Sequence, residues 1–338
     1  MKMLVTGATG FLGRHLVRAL QSRGHDVAAL ARTSSHTEGL DGVTWARGDI
    51  LDPDSVRAAA EGCAGVFHCA GMVSRDPAQS DALWRVHVLG TRNVLEAARA
   101  AGIPRAVVAS TSGTVAISDD PHHIGREDDP TPHRLITRFA YYRAKLYAEQ
   151  EALTQSRDGL EVVVVNPSLL LGPGDVLGSS TGDVRDFLAR RIPAVPAGGM
   201  AYVDARDAAE GMALAMERGT PGRRYLLNGS NCTVRAFFGR LERVSGVKAP
   251  VLPMPPGTAV ARVTSSLFER ALRLVGAELP IDPVSAEMAQ LYWYCDASRA
   301  ESELGWSPRD PVATLADTVE DLQAADRLAP VRPDHAPS

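Results

Sequence analysis

Along the first half of the chain, short apolar runs alternate with longer segments of mixed polarity. The runs are Met3 to Thr6, Asp26 to Leu30, Val43 to Trp45, Gly65 to Cys69, Ala106 to Ser110 and Glu161 to Asn166. The segments Leu12 to Arg23, Asp54 to Glu61, Thr91 to Ala101 and Tyr142 to Gln155 carry apolar residues at roughly helical spacing. This alternation predicts repeated βαβ units, and therefore an α/β fold with a doubly wound parallel sheet. After Pro167 the rhythm breaks. Glycine, proline and serine become frequent through Gly199, and Ala201 to Met216 then reads as a strand followed by a helix. The chain is expected to leave the sheet and return. Two proline-bounded helical stretches follow, near Gly257 to Val275 and Asp310 to Ala325, without an obvious repeat. The expected division is a first domain from residues 1–166 plus about 201–226, and a smaller C-terminal lobe from 167–200 plus about 227–328. The proline-rich polar residues 329–338 are expected to be a disordered tail.

Composition narrows the function. A chain of 338 residues with 45% hydrophobic content can bury a large core. A net charge of -4, without a run of basic residues, offers no attractive field to nucleic acid or anionic lipid, so neither is an expected partner. Cys63, Cys69, Cys232 and Cys295 are far apart and lack metal-ligand spacing; they read as reduced core thiols, and no metal is expected. His122 and His123 sit in a polar loop with no third ligand nearby. The chain opens on an apolar strand, and no run reaches the ~18 residues of a membrane span, so a cytoplasmic protein is expected.

Gly7-Ala8-Thr9-Gly10-Phe11-Leu12-Gly13 lies between the first strand and the first helix. Glycines spaced this way let a backbone approach a pyrophosphate, which the N–H groups and partial positive charge of a helix start stabilise. Gly7, Thr9, Gly10, Phe11, Leu12 and Gly13 are therefore the expected contacts of a dinucleotide. The end of the second strand, ~20 residues further on, meets the adenosine ribose in such folds. Here it reads Leu30-Ala31-Arg32-Thr33-Ser34-Ser35, with a guanidinium and hydroxyls suited to a 2′-phosphate. NADP is the expected cofactor, with NAD the alternative and an exposed loop arginine the plainer reading of Arg32. Asp49 and Ile50 follow the third strand, where Asp49 is placed to accept from the adenine amino group or to cap the helix starting near Pro53. Cys69 and Ala70 end the fourth strand beside the cofactor.

Tyr141 and Lys145 are one helical turn apart and share a face. Lysine occurs only at Lys2, Lys145 and Lys248, which makes its presence at this spacing informative. Hydride delivered to a carbonyl carbon leaves an alkoxide that needs a proton, and a tyrosine whose phenolate is stabilised by a nearby ammonium can supply it. Lys145 would also hold the nicotinamide ribose. The plainer alternative is a packed tyrosine beside an exposed lysine. The fifth strand ends Ser110-Thr111-Ser112, and one of these hydroxyls is expected to hydrogen-bond the substrate oxygen.

Together, the Thr-Gly-Ala-Thr-Gly-Phe-Leu-Gly turn, Gly48-Asp49, Val66-Phe67-His68, Ser110-Thr111-Ser112 and Tyr141-xxx-Lys145 resemble the extended short-chain dehydrogenase/reductases of the NAD-dependent epimerase/dehydratase superfamily. Asn166-Pro167-Ser168, Gly172-Pro173, Ala140 to Gln150 and Leu304-Gly305-Trp306-Ser307-Pro308 are most similar to the dihydroflavonol-reductase-like branch, near the hopanoid-associated epimerase-like and 3β-hydroxysteroid-dehydrogenase-like proteins. The resemblance implies a Rossmann domain with a substrate-binding lobe, and a homodimer is possible. It implies Thr111 as the third catalytic residue, with Ser112 the fallback, and Pro167 with Ser168 against the nicotinamide carboxamide. Nucleotide-sugar members usually carry an arginine for the sugar-nucleotide phosphates where this chain has Met200; Arg185, Arg190 or Arg191 could substitute. Leu267, Leu272, Leu274 and Met288 supply apolar side chains in the lobe. The resulting expectation is a dehydrogenase/reductase acting on the ketone or secondary alcohol of a largely apolar, ring-bearing small molecule. The alternatives are a nucleotide-sugar epimerase or dehydratase and a cofactor-binding regulator without turnover.

Overall fold

The computed structural model describes residues 1–157, 159–254 and 283–328. The helical stretch expected near Gly257 to Val275, with Leu267, Leu272 and Leu274, and the tail over 329–338 lie outside the described residues. Within them, the strands are β1 (Lys2–Thr6), β2 (Asp26–Ala31), β3 (Val43–Arg47), β4 (Gly65–His68), β5 (Arg105–Ala109), β6 (Glu161–Pro167), β7 (Leu169–Leu171), β8 (Gly199–Asp204), β9 (Arg224–Leu227) and β10 (Ser230–Thr233). The helices are α1 (Phe11–Ser22), α2 (Pro53–Ala60), α3 (Ser80–Trp84), α4 (Gly90–Ala100), α5 (His133–Ile136), α6 (Ala140–Thr154), α7 (Gly182–Leu188), α8 (Ala205–Arg218), α9 (Val234–Ser245), α10 (Pro283–Met288) and α11 (Pro311–Leu328).

The larger sheet has the order β3-β2-β1-β4-β5-β6-β9, parallel throughout. Both faces are covered, which explains why its strands are apolar along their length. Val5, Val107, Val163 and Val165 point into one cluster with Leu16, Val17 and Leu20 of α1 and Met212 of α8. Leu4, Val108, Val162 and Val164 point into the other, with Val56 of α2, Leu95 of α4 and Ala152 of α6. This is the Rossmann arrangement, and it places the loops after β1, β4 and β5 at one end of the sheet, where ligands of such folds bind.

Three expectations are corrected. The strand over 199–204 does not return to the large sheet. It is the centre of a small sheet ordered β10-β8-β7, and only α8 and β9 rejoin the main layer. The segment expected to lie in the lobe near Trp306 instead joins the main core. Ala297, Ala300, Leu304 and Trp306 pack in the cluster of α1 and α8, with Trp306 Nε1 donating to the Asp207 carbonyl at 2.8 Å. Finally, the helix expected from Thr91 begins earlier: α3 runs through a π-helical turn, Arg85–Leu89, into α4.

An ion-pair chain ties α8 to α11. Asp204 caps α8 through the Arg206 N–H at 2.8 Å and pairs with the Arg206 guanidinium, which also reaches Asp317, while Arg309 is held by Asp207 at 2.8 Å. Trp306 is 2% exposed, so Trp306→Ala removes an indole with no room to collapse. The expected loss of unfolding free energy is about 3–5 kcal/mol, read from denaturant melts. A loss below about 1 kcal/mol would mean the C-terminal segment does not depend on this anchor.

Candidate active site

The loop after β1 can exist only with glycine at two positions. Gly7 has φ +74°, and a Cβ there would lie 2.5 Å from the backbone N of Ala70. A Cβ on Gly13 would lie 2.1 Å from the Gly7 carbonyl oxygen. These contacts bring β1, the loop after β4 and the start of α1 into direct backbone apposition. The Gly10 N–H closes the turn onto the Gly7 carbonyl at 3.0 Å, and no side chain caps α1, so its first N–H groups remain available to an anion. Phe11 and Leu12 turn into the protein, Phe11 stacking edge-on against His15 and Leu12 joining the core. The geometry fits a dinucleotide pyrophosphate.

On the adenosine side, Arg32 stands exposed after β2. Two arginines that the sequence reading did not single out shape its loop. Arg14, in the first turn of α1, donates to the carbonyls of Thr9 (3.2 Å), Glu38 (2.8 Å) and His36 (2.9 Å). Arg47, at the end of β3, donates to the Arg32 carbonyl at 3.2 Å. Arg14 sits directly behind the last glycine of the turn, the one sequence signal that points to it. Asp49 does not cap α2. Its carboxylate accepts from Leu51 N–H at 2.9 Å, and Asp52 is the cap, accepting from Asp54 N–H at 3.2 Å. The Ile50 side chain packs on Gly90 of α4, and its carbonyl accepts from Asn93 at 2.9 Å.

Tyr141 and Lys145 project from one face of α6 toward the ends of β4 and β5. Lys145 is buried and its Nζ donates to the Ala109 carbonyl at 2.7 Å. Burial lowers its pKa to about 8, against the opposing pull of Cys69 and Glu149. Two imidazoles nearby are neutral. His68 bridges Thr6 Oγ1 (2.7 Å) and Thr91 Oγ1 (3.0 Å), and burial with the Lys145 charge pushes it down to about 3. His87, carried inward by the π-helical turn, is pushed to about 3 chiefly by burial; it pairs with the Met72 carbonyl at 2.8 Å and sets its ring edge-to-face with Tyr141, centroids 5.6 Å apart. Burial also pushes the Cys69 thiol up to about 12. The sequence reading expected the ammonium to draw the Tyr141 phenol down. Instead the phenol lies above its ordinary value, because burial dominates and Tyr142 adds to it.

The hydroxyls after β5 divide cleanly. Ser110 donates to Glu149 at 2.6 Å, Ser112 is buried and lowers the otherwise raised pKa of the Cys295 thiol, and Thr114 donates to Glu149 at 2.9 Å. Thr111 has extended backbone and is half-buried, and its Oγ1 accepts from Gly113 N–H at 3.3 Å. Among the described residues its proton is not committed. At the end of β6, Pro167 is buried and the Ser168 hydroxyl donates to Asn228 at 3.2 Å.

The lobe closes over this region with aromatic surface. Tyr142 packs tilted against Trp293, ring centroids 4.8 Å apart, and a Cβ on Gly113 would strike the Tyr142 ring at 2.3 Å. Met200, on β8, packs against the apolar lobe cluster of Phe187, Phe238 and Tyr202, and Met288 against that of Leu291 and Phe139. Arg191 is held by Asp186, and Arg190 lines a separate lobe cavity of about 360 Å³ with Phe187, Ile192 and Lys248. His122 is exposed and His123 faces Asp129 at 3.7 Å. Among the described residues, no three His, Cys, Asp or Glu side chains gather as a metal site, and no helix is long and apolar enough to cross a membrane.

Fold and turn together define a dinucleotide-binding Rossmann protein. Residues 3–227 match the model of the NAD dependent epimerase/dehydratase family. The chain is 36% identical to the "Putative dihydroflavonol 4-reductase" of Synechocystis sp., over 94% of each chain. It is 35% identical to "Sterol demethylase protein B" of Methylococcus capsulatus, over 94% of this chain and 97% of that one. The crystal structure of PA4631, a nucleoside-diphosphate-sugar epimerase from Pseudomonas aeruginosa, superimposes with a TM-score of 0.77 at 27% identity, covering 96% of this chain and 98% of that one. The chain belongs to the NAD-dependent epimerase/dehydratase family and is an oxidoreductase of that family.

Gly13→Ala should raise the dinucleotide Kd at least ~10-fold in titration calorimetry, because its Cβ forces the turn away from α1. Gly24→Ala is the control: its φ of +75° is also strained, but it has no neighbour within 4 Å and lies at the far end of α1. Unchanged affinity in Gly13→Ala would detach this turn from binding.

Proposed function

We propose that the protein reduces a ketone, or oxidises the corresponding secondary alcohol, on a largely apolar, ring-bearing small molecule, using NADP with Tyr141 as proton donor and acceptor. The observation that carries this reading is the hydrogen bond from Lys145, one helical turn after Tyr141, to the Ala109 carbonyl, two residues before the uncommitted hydroxyl of Thr111. In this reading Gly7, Thr9, Gly10, Phe11, Leu12 and Gly13 hold the pyrophosphate. Arg32 meets the 2′-phosphate on a loop fixed by Arg14 and Arg47, Asp49 and Ile50 lie by the adenine, and Cys69, Ala70, Pro167 and Ser168 flank the nicotinamide. The bound nicotinamide supplies or accepts the hydride.

The remaining chemistry belongs to the chain. Thr111 donates a hydrogen bond to the carbonyl oxygen, and Tyr141 transfers its proton to the same oxygen as negative charge develops there. In this reading Lys145 turns its remaining N–H donors and its charge to the phenolate that remains and to the ribose. A phenol held above its usual pKa is protonated at rest and so carries the proton that the developing alkoxide needs. The apolar substrate is supported by the packing of Met200, a thioether where sugar-nucleotide enzymes of this family carry a phosphate-binding arginine. It is also supported by the names of the two relatives, since flavonoids and sterols are both ring-bearing and largely apolar. The likeness to a nucleoside-diphosphate-sugar epimerase favours the second reading, epimerisation or dehydration of a sugar nucleotide.

A panel of ring ketones and sugar nucleotides, followed by reduced-nicotinamide absorbance and product chromatography, separates the two. Ketone turnover is expected, and turnover of sugar nucleotides alone would overturn the substrate assignment. Tyr141→Phe should keep cofactor affinity and lower kcat at least ~10²-fold; near-normal turnover would remove Tyr141 from the mechanism. Arg32→Asp replaces attraction by repulsion and should shift preference from NADPH toward NADH. Tighter binding of NADH than NADPH by the unaltered protein would refute the cofactor assignment.

A further inference from the structure

The proposed catalytic groups come from two separate elements: Tyr141 and Lys145 from α6, and Thr111 from the segment after β5. Resting on the reading above, we infer that Glu149 is a positioning residue that fixes these two elements against each other. It follows Tyr141 and Lys145 at successive four-residue intervals on α6, so the three share one face.

Glu149 is 2% exposed, and a buried carboxylate is tolerated only when its oxygens are hydrogen-bonded and its charge is paired. Both conditions are met by groups that frame Thr111. Oε2 accepts from Ser110 (2.6 Å), Thr114 (2.9 Å) and Asn166 Nδ2 (2.7 Å), and Oε1 accepts from Arg224 of β9 at 2.8 Å. Asn166 Nδ2 also lies 3.1 Å from the Thr111 carbonyl. The residue before Thr111, the residue three beyond it and its own carbonyl are thus all referred to one carboxylate on the tyrosine helix. A buried network of this kind holds geometry because every member loses its partner if one moves. Glu149 also acts through charge, since it opposes the effect of burial on Lys145.

The charge effect gives a readout that mere packing would not move. The titratable groups around Lys145 are Tyr141 and Glu149 on its own helix, His68 and Cys69 at the end of β4, and His87 from the π-helical turn. Burial holds His68 and His87 down near 3, pushes Cys69 up to about 12 and raises Tyr141 above its ordinary value, so an alkaline limb of kcat/KM near pH 8 is assigned to Lys145. Glu149→Gln removes a negative charge and leaves Arg224 unpaired, so the ammonium is less favoured and the limb should move to lower pH. Arg224→Gln does the opposite: the carboxylate is left less neutralised and the limb should move to higher pH.

The experiment measures kcat, KM and NADPH affinity across pH for wild type, Glu149→Gln, Arg224→Gln and Tyr141→Phe. Glu149→Gln is expected to lower kcat ~10- to 100-fold through misplacement of Thr111, with NADPH affinity within about twofold of wild type, and to shift the limb oppositely to Arg224→Gln. If Glu149→Gln does not fold, the upward shift in Arg224→Gln supports the inference and an unmoved limb overturns it. Wild-type kcat in Glu149→Gln, or limbs unmoved in both variants, also overturns it. Loss of turnover in Tyr141→Phe alongside normal Glu149 and Arg224 variants would defeat this inference alone, whereas normal turnover in Tyr141→Phe would defeat the functional reading on which it rests.

Discussion

Burial of one ammonium, that of Lys145, is the demand to which the surrounding chain answers. An ammonium taken out of water needs an acceptor, a counter-charge and neighbours that add no further positive charge. The Ala109 carbonyl, at the end of β5, is the acceptor. Glu149 is the counter-charge one helical turn away, itself neutralised from β9. His68 and His87 stay uncharged because each is buried and faces the Lys145 charge, which for His87 outweighs the pull of the Met72 carbonyl toward protonation. Four elements of the sheet and two of the covering layer therefore have their relative positions set around a single nitrogen.

The same economy governs the hydroxyl-rich segment after β5. Its hydroxyls look equivalent in sequence, but the fold assigns Ser110 and Thr114 to the carboxylate beneath and Ser112 to a thiol brought in from near the C-terminus. What distinguishes Thr111 is that its neighbours are occupied. The aromatic pair Tyr142 and Trp293 then packs against Gly113, so the lobe closes on this segment through apolar contact.

Much of this was legible in the chain itself. The first six strands and their helices could be read because a parallel sheet covered on both faces demands uniformly apolar strands, and the glycine turn because Gly7 and Gly13 leave no space for a side chain. The Tyr141 and Lys145 pairing stood out because lysine is so scarce here. Other features depend on partners remote in sequence. The strand over 199–204 looks like any other apolar strand, and only its pairing with β7 and β10 places it in the small sheet. Nothing in the sequence singles out Glu149, because its ion-pair partner, Arg224, is 75 positions away. The π-helical turn carries no sequence mark of its own, since Arg85 to Leu89 are ordinary helix residues, and it is tertiary packing that turns His87 inward.

The docking of Trp306 has a consequence for how the protein is made. Val5 and Leu16 share one apolar cluster with Leu304 and Trp306, so the first strand and helix complete their burial with residues made much later. Contacts of such sequence separation form slowly, and nascent domains otherwise tend to fold in order of emergence. The face of the nucleotide-binding half that carries α1 and α8 is therefore completed only after Trp306 has been made.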